Sequence, residues 1–333
     1  MKPTAPRPTD MMQVDDLQVH YPFRSGFFSW GKKLTVKAVQ GVSFELKKGE
    51  VLGLVGESGC GKSSLGRALL RLHEPTAGQI TIQGTDFLSL KGHALRSFRP
   101  NIQMVFQDPY ASLDPRMTVF DIVAEPLVTH HSLAAADVRA KVEKTLDRVG
   151  LSKKALNKYP HEFSGGQRQR IAIGRALILE PKVLVADEPV SSLDVSVQAQ
   201  ILNLLKDIQK EMSLSMLFIS HNLAVVKYIS DRIAVMYLGK IVETASKEDL
   251  YKAPQHPYTQ ALISAVPLPD PKRERERKRT ALKGELPSPL NPPRGCAFHT
   301  RCPIAVPACT ESPPPLDPYG KESWKVACYE VKR

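Results

Sequence analysis

No stretch of this chain approaches the roughly 18–20 consecutive apolar residues needed to span a bilayer. The N-terminus carries no secretory signal either, because residues 1–10 hold three prolines and no apolar core. No internal repeat and no sustained heptad pattern occur. Cysteine is scarce, five in 333 residues, and none of the short C-x2–4-C pairs of zinc sites is present. These absences lead to the expectation of a cytosolic protein, or of one that sits on a membrane through a partner.

What is present is ordinary in bulk and informative in detail. The length allows one large domain or two moderate ones, and 42% hydrophobic with 24% charged residues is normal for a globular chain. The formal charge of +12 is compatible with a nucleic-acid or membrane-surface partner without choosing between them. Part of it is local: Lys272-Arg273-Glu274-Arg275-Glu276-Arg277-Lys278-Arg279 sets six bases against two acids. That run reads first as a solvated linker and second as a contact for anionic lipid headgroups.

Residues 12–48 alternate polar and apolar positions, which predicts antiparallel strands broken by a loop at 24–33. A glycine-bounded apolar run at 50–55 predicts a buried strand, with a helix over 64–72. Further buried strands are predicted at 183–186 and 215–220, separated by a helix over 198–212. Strands alternating with helices indicate a mainly parallel α/β sheet. Between Gln107 and about Pro181 the pattern is mostly helical and reads as an inserted subdomain. Short strands at 233–237 and 240–242 and a small helix at 247–251 close this part. From Pro267 onward proline and charge mark a linker and a small appended module.

Between the first predicted strand and helix lies Gly56-Glu57-Ser58-Gly59-Cys60-Gly61-Lys62-Ser63, a complete G-x-x-x-x-G-K-[ST] phosphate-binding loop followed by Ser64. Its glycines let backbone N–H groups converge on phosphates, Lys62 adds charge at the β/γ positions, and the Ser63 hydroxyl can ligate Mg²⁺. Asp187 ends an apolar strand, where a carboxylate can hold Mg²⁺, and Glu188 beside it can polarise a water. Ser164-Gly165-Gly166-Gln167 opens a second helix, predicted over 167–179, with a second anion-binding N-terminus. One nucleotide cannot easily occupy both termini of a single chain, so two subunits placed head to tail, each closing the other's site, is the economical explanation.

With these motifs in this order, residues 12–265 resemble the ATP-binding cassette family: a P-loop NTPase fold with an antiparallel β subdomain, an inserted helical subdomain and, here, a small Cys/Pro-rich extension. The resemblance makes 56–63 the Walker A loop, Gln107 the Q-loop, residues 163–167 the signature and 183–187 the Walker B strand. It implies Glu188 as catalytic base, Asp194 in the D-loop, His221 as switch histidine and Tyr21 as the adenine-stacking aromatic. It further implies ATP as substrate, with Mg²⁺ served by Ser63, Gln107 and Asp187. Lys62 and His221 would contact the γ-phosphate, and a partner's Ser164 and Gly166 would complete the site.

Two non-transport branches of that family fit poorly, one because this chain holds a single P-loop. The other, a DNA-associated type, encloses a long coiled coil for which 62–164 leaves no room; it stays a remote alternative. Residues 102–109, 112–117 and 159–163 instead resemble the peptide-importer branch. So do His256-Pro257-Tyr258-Thr259-Gln260-Ala261-Leu262 and Gly284-Glu285-Leu286-Pro287-Ser288-Pro289-Leu290-Asn291-Pro292-Pro293. The match is to the second of the two paired ATP-binding subunits of bacterial oligopeptide and dipeptide permeases, oligopeptide ahead of dipeptide. It implies a heterodimer with another ATPase, two transmembrane permease subunits, a periplasmic or lipoprotein peptide-binding protein, and a place on the cytoplasmic face of the inner membrane. It implies no nucleic-acid partner. The expected boundaries are a flexible 1–11, a cassette over 12–265 and an extension over 266–333.

The remaining cysteines, Cys296, Cys302, Cys309 and Cys328, are spaced C-x5-C-x6-C-x18-C. In a reducing compartment such a set is more often a metal site than disulfides. A proline-rich segment with little core of its own needs a staple. A [4Fe–4S] cluster is the first reading, Zn²⁺ the second and packing thiols the third.

Overall fold

The computed structural model describes residues 10–23, 34–267, 275 and 284–331. Residues 1–9, the 24–33 loop and the 272–279 basic run apart from Arg275 lie outside the described residues. Strand β1 begins at Asp10, so Asp10 and Met11 belong to a strand and not to the N-terminal tail.

Two sheets organise the described residues. In the smaller one, β1 (Asp10–Phe23), β2 (Leu34–Lys47), β4 (Ala77–Ile82) and β5 (Thr85–Asp86) are antiparallel in the order β2-β1-β4-β5. The larger sheet has eight strands in the order β11-β12-β10-β9-β3-β8-β7-β6. Its parallel heart is β3 (Val51–Val55), β6 (Ile102–Val105), β7 (Val183–Asp187), β8 (Ser215–Ile219) and β9 (Arg232–Tyr237). β10 (Lys240–Ser246), β11 (Asp317–Tyr319) and β12 (Lys321–Val326) add an antiparallel margin.

Strand side chains alternate between faces, and here the two faces build two cores. Val51, Leu184, Ala186, Met216 and Phe218 join one, and Leu52, Leu54, Val183, Val185, Leu217 and Ile219 the other. The first core also takes in helices α4 (Val119–His130), α5 (Ala135–Arg148) and α6 (Gly165–Leu177). The second packs the antiparallel sheet and α1 (Lys62–Leu69) on the opposite side. Burial on both faces explains why the parallel strands read as continuous apolar runs.

Further α-helices among the described residues are α2 (Gly92–Phe98), α3 (Pro109–Ser112), α7 (Val195–Met212), α8 (Leu223–Ile229), α9 (Lys247–Lys252), α10 (Pro257–Ser264) and α11 (Ala308–Glu311). Helices α3–α6 fall between β6 and β7. α1 stops short of the expected Leu72 because Arg71 turns to φ 51°, with its guanidinium on the Phe87 and Leu90 carbonyls. Among the described residues no helix is long and apolar enough to cross a membrane.

The C-terminal segment is not laid out apart from the rest. Strand β12 pairs with β10 at Glu243↔Val326 and Thr244↔Lys325, and Phe298, Trp324 and Val326 enter the first core. Glu243, fully buried, accepts hydrogen bonds from the Gln255 and His256 amides and from Trp324 Nε1 at 2.9, 2.9 and 3.0 Å. Burial still pushes its carboxyl above the usual range.

Candidate functional site

Strand β3 runs straight into the 56–63 loop, and steric room dictates its glycines. A Cβ on Gly56 would lie 2.2 Å from the Met236 carbonyl oxygen, and one on Gly61 2.0 Å from that of Ala38. Gly61 has φ 105° and caps α1, whose open N–H groups and dipole favour an anion. Ser58 and Gly59 form the exposed tip, and Ser64 lies half-buried in the first turn of the helix. Lys62, 5% exposed, donates to the Gly56 and Glu57 carbonyls at 2.8 and 3.1 Å, and its Nζ is 3.9 Å from Cys60 Sγ. An anionic ligand offers that ammonium a stronger, charge-assisted acceptor than these carbonyls.

Ser63 Oγ donates to Asp187 Oδ1 at 3.0 Å, joining the start of α1 to the tip of β7. Burial pushes the Asp187 carboxyl up, and the Ser63 hydrogen bond offsets part of that rise. The Ser63 hydroxyl and the buried Asp187 carboxylate are both hard oxygen donors that fit Mg²⁺, whose charge would reverse the cost of ionising Asp187.

Glu188 is the next residue, with φ 47°, a region non-glycine residues seldom occupy. Its N–H donates to the Ile219 carbonyl, and its own carbonyl accepts from Ser191 N and Oγ at 3.2 and 3.0 Å. The carboxylate is thereby set between Gln107 Nε2, which donates to Oε2 at 3.1 Å, and His221 Nδ1, 3.1 Å from Oε1. Gln107, Glu188 and His221 follow β6, β7 and β8, three adjacent parallel strands whose carboxyl ends open together. Gln107 is thus engaged with Glu188 here, while Ser63 and Asp187 pair with each other.

Ser164 and Gln167 form a reciprocal capping box at the head of α6, with both side chains exposed. The helix begins at Gly165, two residues before the expected start, because Ser164 already satisfies the first turn. A Cβ on Gly166 would lie 2.3 Å from Val197 Cγ1, and one on Gly165 3.4 Å from Leu193 Cδ2. The head of α6 therefore sits against the head of α7. Asp194 caps α7 through Val197 N at 3.1 Å, and that hydrogen bond holds its carboxyl below the usual range. Beside it Val195 is 83% exposed. Tyr21, near the end of β1, meets His73 edge-on at 5.3 Å between ring centroids.

Away from this cleft, Cys296 donates its backbone N–H to the Cys309 carbonyl at 2.8 Å. Burial pushes the Cys296, Cys302 and Cys328 thiols up, and each of these three also feels its neighbours in the set of four. Thiols that raise one another are the chemistry a soft cation relieves. Among the described residues, no three His, Cys, Asp or Glu side chains stand disposed to hold an ion.

Two groups at the phosphate loop were not among the sequence candidates. Tyr258 Oη accepts the Glu57 N–H at 2.9 Å, and Arg301 grips the Glu57 carboxylate at 2.7 and 3.1 Å. They reach the loop from 201 and 244 positions away. No local spacing signals them; only the closed sheet does.

Against known proteins, a family model described as ABC transporter matches residues 39–191. A second, oligopeptide/dipeptide transporter, C-terminal region, matches residues 242–309. The chain is 55% identical over 312 residues to the oligopeptide transport ATP-binding protein AppF of Bacillus subtilis, covering 93% of this chain and 94% of that one. It is 53% identical to the oligopeptide transport ATP-binding protein OppF of Salmonella typhimurium, covering 96% of each. Among solved structures, a dimeric post-hydrolysis state of the ATP-binding cassette MJ0796 with ADP and phosphate superposes with a TM-score of 0.63 at 27% identity, covering 71% of this chain and 99% of that one. CbiO1 from Clostridium perfringens, part of an ABC transporter complex, also gives 0.63, at 26% identity, over 74% and 92% of the two chains.

Proposed function

The chain belongs to the ABC transporter ATP-binding proteins, in the branch that carries the oligopeptide/dipeptide C-terminal region, and on that premise we propose that it is the ATP-hydrolysing subunit of a bacterial oligopeptide importer. The observation that carries this reading is identity above one half along nearly the whole chain, continuing through the C-terminal segment. The cleft built from β3, β6, β7 and β8 supplies the matching chemistry.

In this reading Lys62 turns from its own loop carbonyls to the β/γ phosphates of ATP, joined by amides of the 56–63 loop and the N-terminus of α1. Ser63, Asp187 and Gln107 would hold Mg²⁺, which would supply positive charge against the phosphate oxygens. Tyr21 stacks on adenine. Glu188 accepts a hydrogen bond from the attacking water at its carboxylate, and His221 orients that carboxylate and meets the γ-phosphate. ATP and water become ADP and phosphate. Ser164, Gly165, Gly166, Gln167 and Asp194 close over the nucleotide of a partner cassette, so each site is completed by another chain.

The partner is a second, different ATPase, and both sit beneath two permease subunits fed by a peptide-binding protein, at the cytoplasmic face of the inner membrane. A cleft of about 710 Å³ whose lining includes exposed Tyr110 with Met117, Asp114, Arg116, Glu125 and Arg175 offers the permeases a seat of mixed apolar and charged character. The four tail cysteines would hold a structural [4Fe–4S] cluster, with Zn²⁺ as the alternative ion, only if their side chains turned toward one another from the arrangement described above. Absorbance near 400 nm with iron in the purified protein supports the cluster, and a colourless zinc-loaded protein removes it.

Reconstitution tests the transport reading. The chain, its partner ATPase, both permeases and the binding protein in vesicles are expected to accumulate labelled oligopeptides with MgATP, and Lys62→Ala is expected to abolish uptake. Uptake confined to dipeptides would move the substrate class. Turnover stimulated by DNA and not by peptide would overturn the reading.

A further inference from the structure

The second residue of the phosphate loop carries a charge of the wrong sign for its task. The 56–63 loop and α1 are arranged to attract anions, yet Glu57 places a carboxylate inside that loop. A carboxylate carried by a loop that gathers phosphates opposes them electrostatically unless something offsets its charge. Arg301 intervenes. Its guanidinium forms a two-pronged pair with Glu57 at 2.7 and 3.1 Å, the side chains being 6% and 27% exposed.

Neighbouring groups hold both members of the pair. Arg301 Nη1 lies 3.5 Å from Tyr237 Oη. Tyr237, Tyr258 and Phe298 form a mutually packed aromatic wall, with centroids 4.7, 5.2 and 5.5 Å apart. Tyr258 turns its hydroxyl from that wall to accept the Glu57 N–H at 2.9 Å. Glu57 is thus fixed by side chain and backbone together. On the loop's other flank Gly239 N–H holds the Cys60 carbonyl at 2.8 Å. The same C-terminal segment runs on along the site: Pro289 accepts from the Lys37 amide at 3.1 Å.

We propose that Arg301 is a positioning residue of the nucleotide site: it neutralises Glu57 and, with Tyr258, sets the shape of the phosphate loop, so that the C-terminal segment is a determinant of nucleotide affinity. This rests on the reading of 56–63 as the ATP loop. The competing role is a staple, in which the pair only fastens the segment to the cassette.

Calorimetric titration of the full chain with MgADP, which avoids turnover, separates the two. Arg301→Gln is expected to weaken binding by about tenfold, the order that one uncompensated charge near the phosphates produces. Arg301→Lys, which keeps the charge and loses the fork, is expected to fall between it and the unmodified chain. Adding Glu57→Gln to Arg301→Gln is expected to recover at least half of the lost decade, because the uncompensated charge is gone. A staple predicts lower melting temperatures with MgADP affinity unmoved. Affinity within twofold of the unmodified chain for Arg301→Gln, or no recovery in the double variant, overturns the proposal. Should Arg301→Gln not fold, Arg301→Lys and Tyr258→Phe decide, and unchanged affinity in both overturns it. Lys62→Ala is the control: if it binds MgADP as the unmodified chain does, the ATP-loop reading itself fails and the role of Arg301 falls with it, whereas weakened binding there with unmoved Arg301 variants overturns the role of Arg301 alone.

Discussion

Glu188 sits at φ 47° between two side chains that reach it from neighbouring strand ends, and its backbone is tied at both N–H and carbonyl. Holding a non-glycine residue there costs of order 1 kcal/mol, which the surrounding bonds sustain. Glu188→Gln keeps the shape and removes the base. It is expected to lower ATP turnover about 10²–10⁴-fold while MgATP affinity changes little, as read by single-turnover hydrolysis beside a binding titration. His256 is the other residue with a sharp signature. It caps α10 by accepting the Tyr258 N–H at 3.1 Å, and it bonds to the Ala327 backbone, while full burial pushes its pKa down to about 3. The folded chain therefore favours the neutral ring. The stability this contributes is present above the unfolded value near 6.5 and is lost as pH falls toward 3, by about 1.4 kcal/mol per pH unit. Buried Glu243, Glu50 and Asp187, with raised values, act in the opposite direction. His256→Asn retains a capping side chain and leaves those carboxylates in place. Its stability from denaturant melts between pH 7 and 4 is expected to fall less steeply than that of the unmodified chain. At this scale the placement of the loop, Asp187, Glu188 and His221 was legible because each ends or follows a strand or opens a helix in a fixed local pattern. Tyr258 and Arg301 were not, because their partnership with Glu57 spans most of the chain.

Elements carry their own test at the junction of α6 and α7. Gly166 allows the two helix heads to touch, with Val197 filling the space a side chain would take. Gly166→Ala is expected to push the head of α6 away and to cost about 1–3 kcal/mol of stability by overpacking. ATP turnover of the assembled transporter is expected to fall more than stability does, because Ser164 is displaced. The paired measurement is a melting curve and a turnover assay on one preparation. Apolar runs gave away β3, β7 and β8, since strands buried on both faces lose the polar alternation that blurs other segments. β5 and β6, of two and four residues, left no such trace. The C-terminal hairpin was read as an appended module because proline and charge dominate its approach, and composition cannot register that β12 meets β10.

Across the whole molecule that hairpin finishes the sheet and part of the core. Removing residues 268–333 would expose Tyr237 and Tyr258, take Trp324 from Glu243 and leave β10 as an open edge. Loss of a buried Trp and Phe costs about 3–5 kcal/mol each. The shortened chain is expected to melt on the order of 10 °C lower and to aggregate on heating, as seen by calorimetry with light scattering.

The 244-residue reach from Glu57 to Arg301 also bears on how the protein is made. On the ribosome the phosphate loop emerges early, but β3 must wait for β8 and β9 before it has a neighbour on either side. Arg301 arrives later still. Until then the chain carries a complete nucleotide motif whose Glu57 has yet to meet its arginine, and the pair forms only once residue 301 has followed.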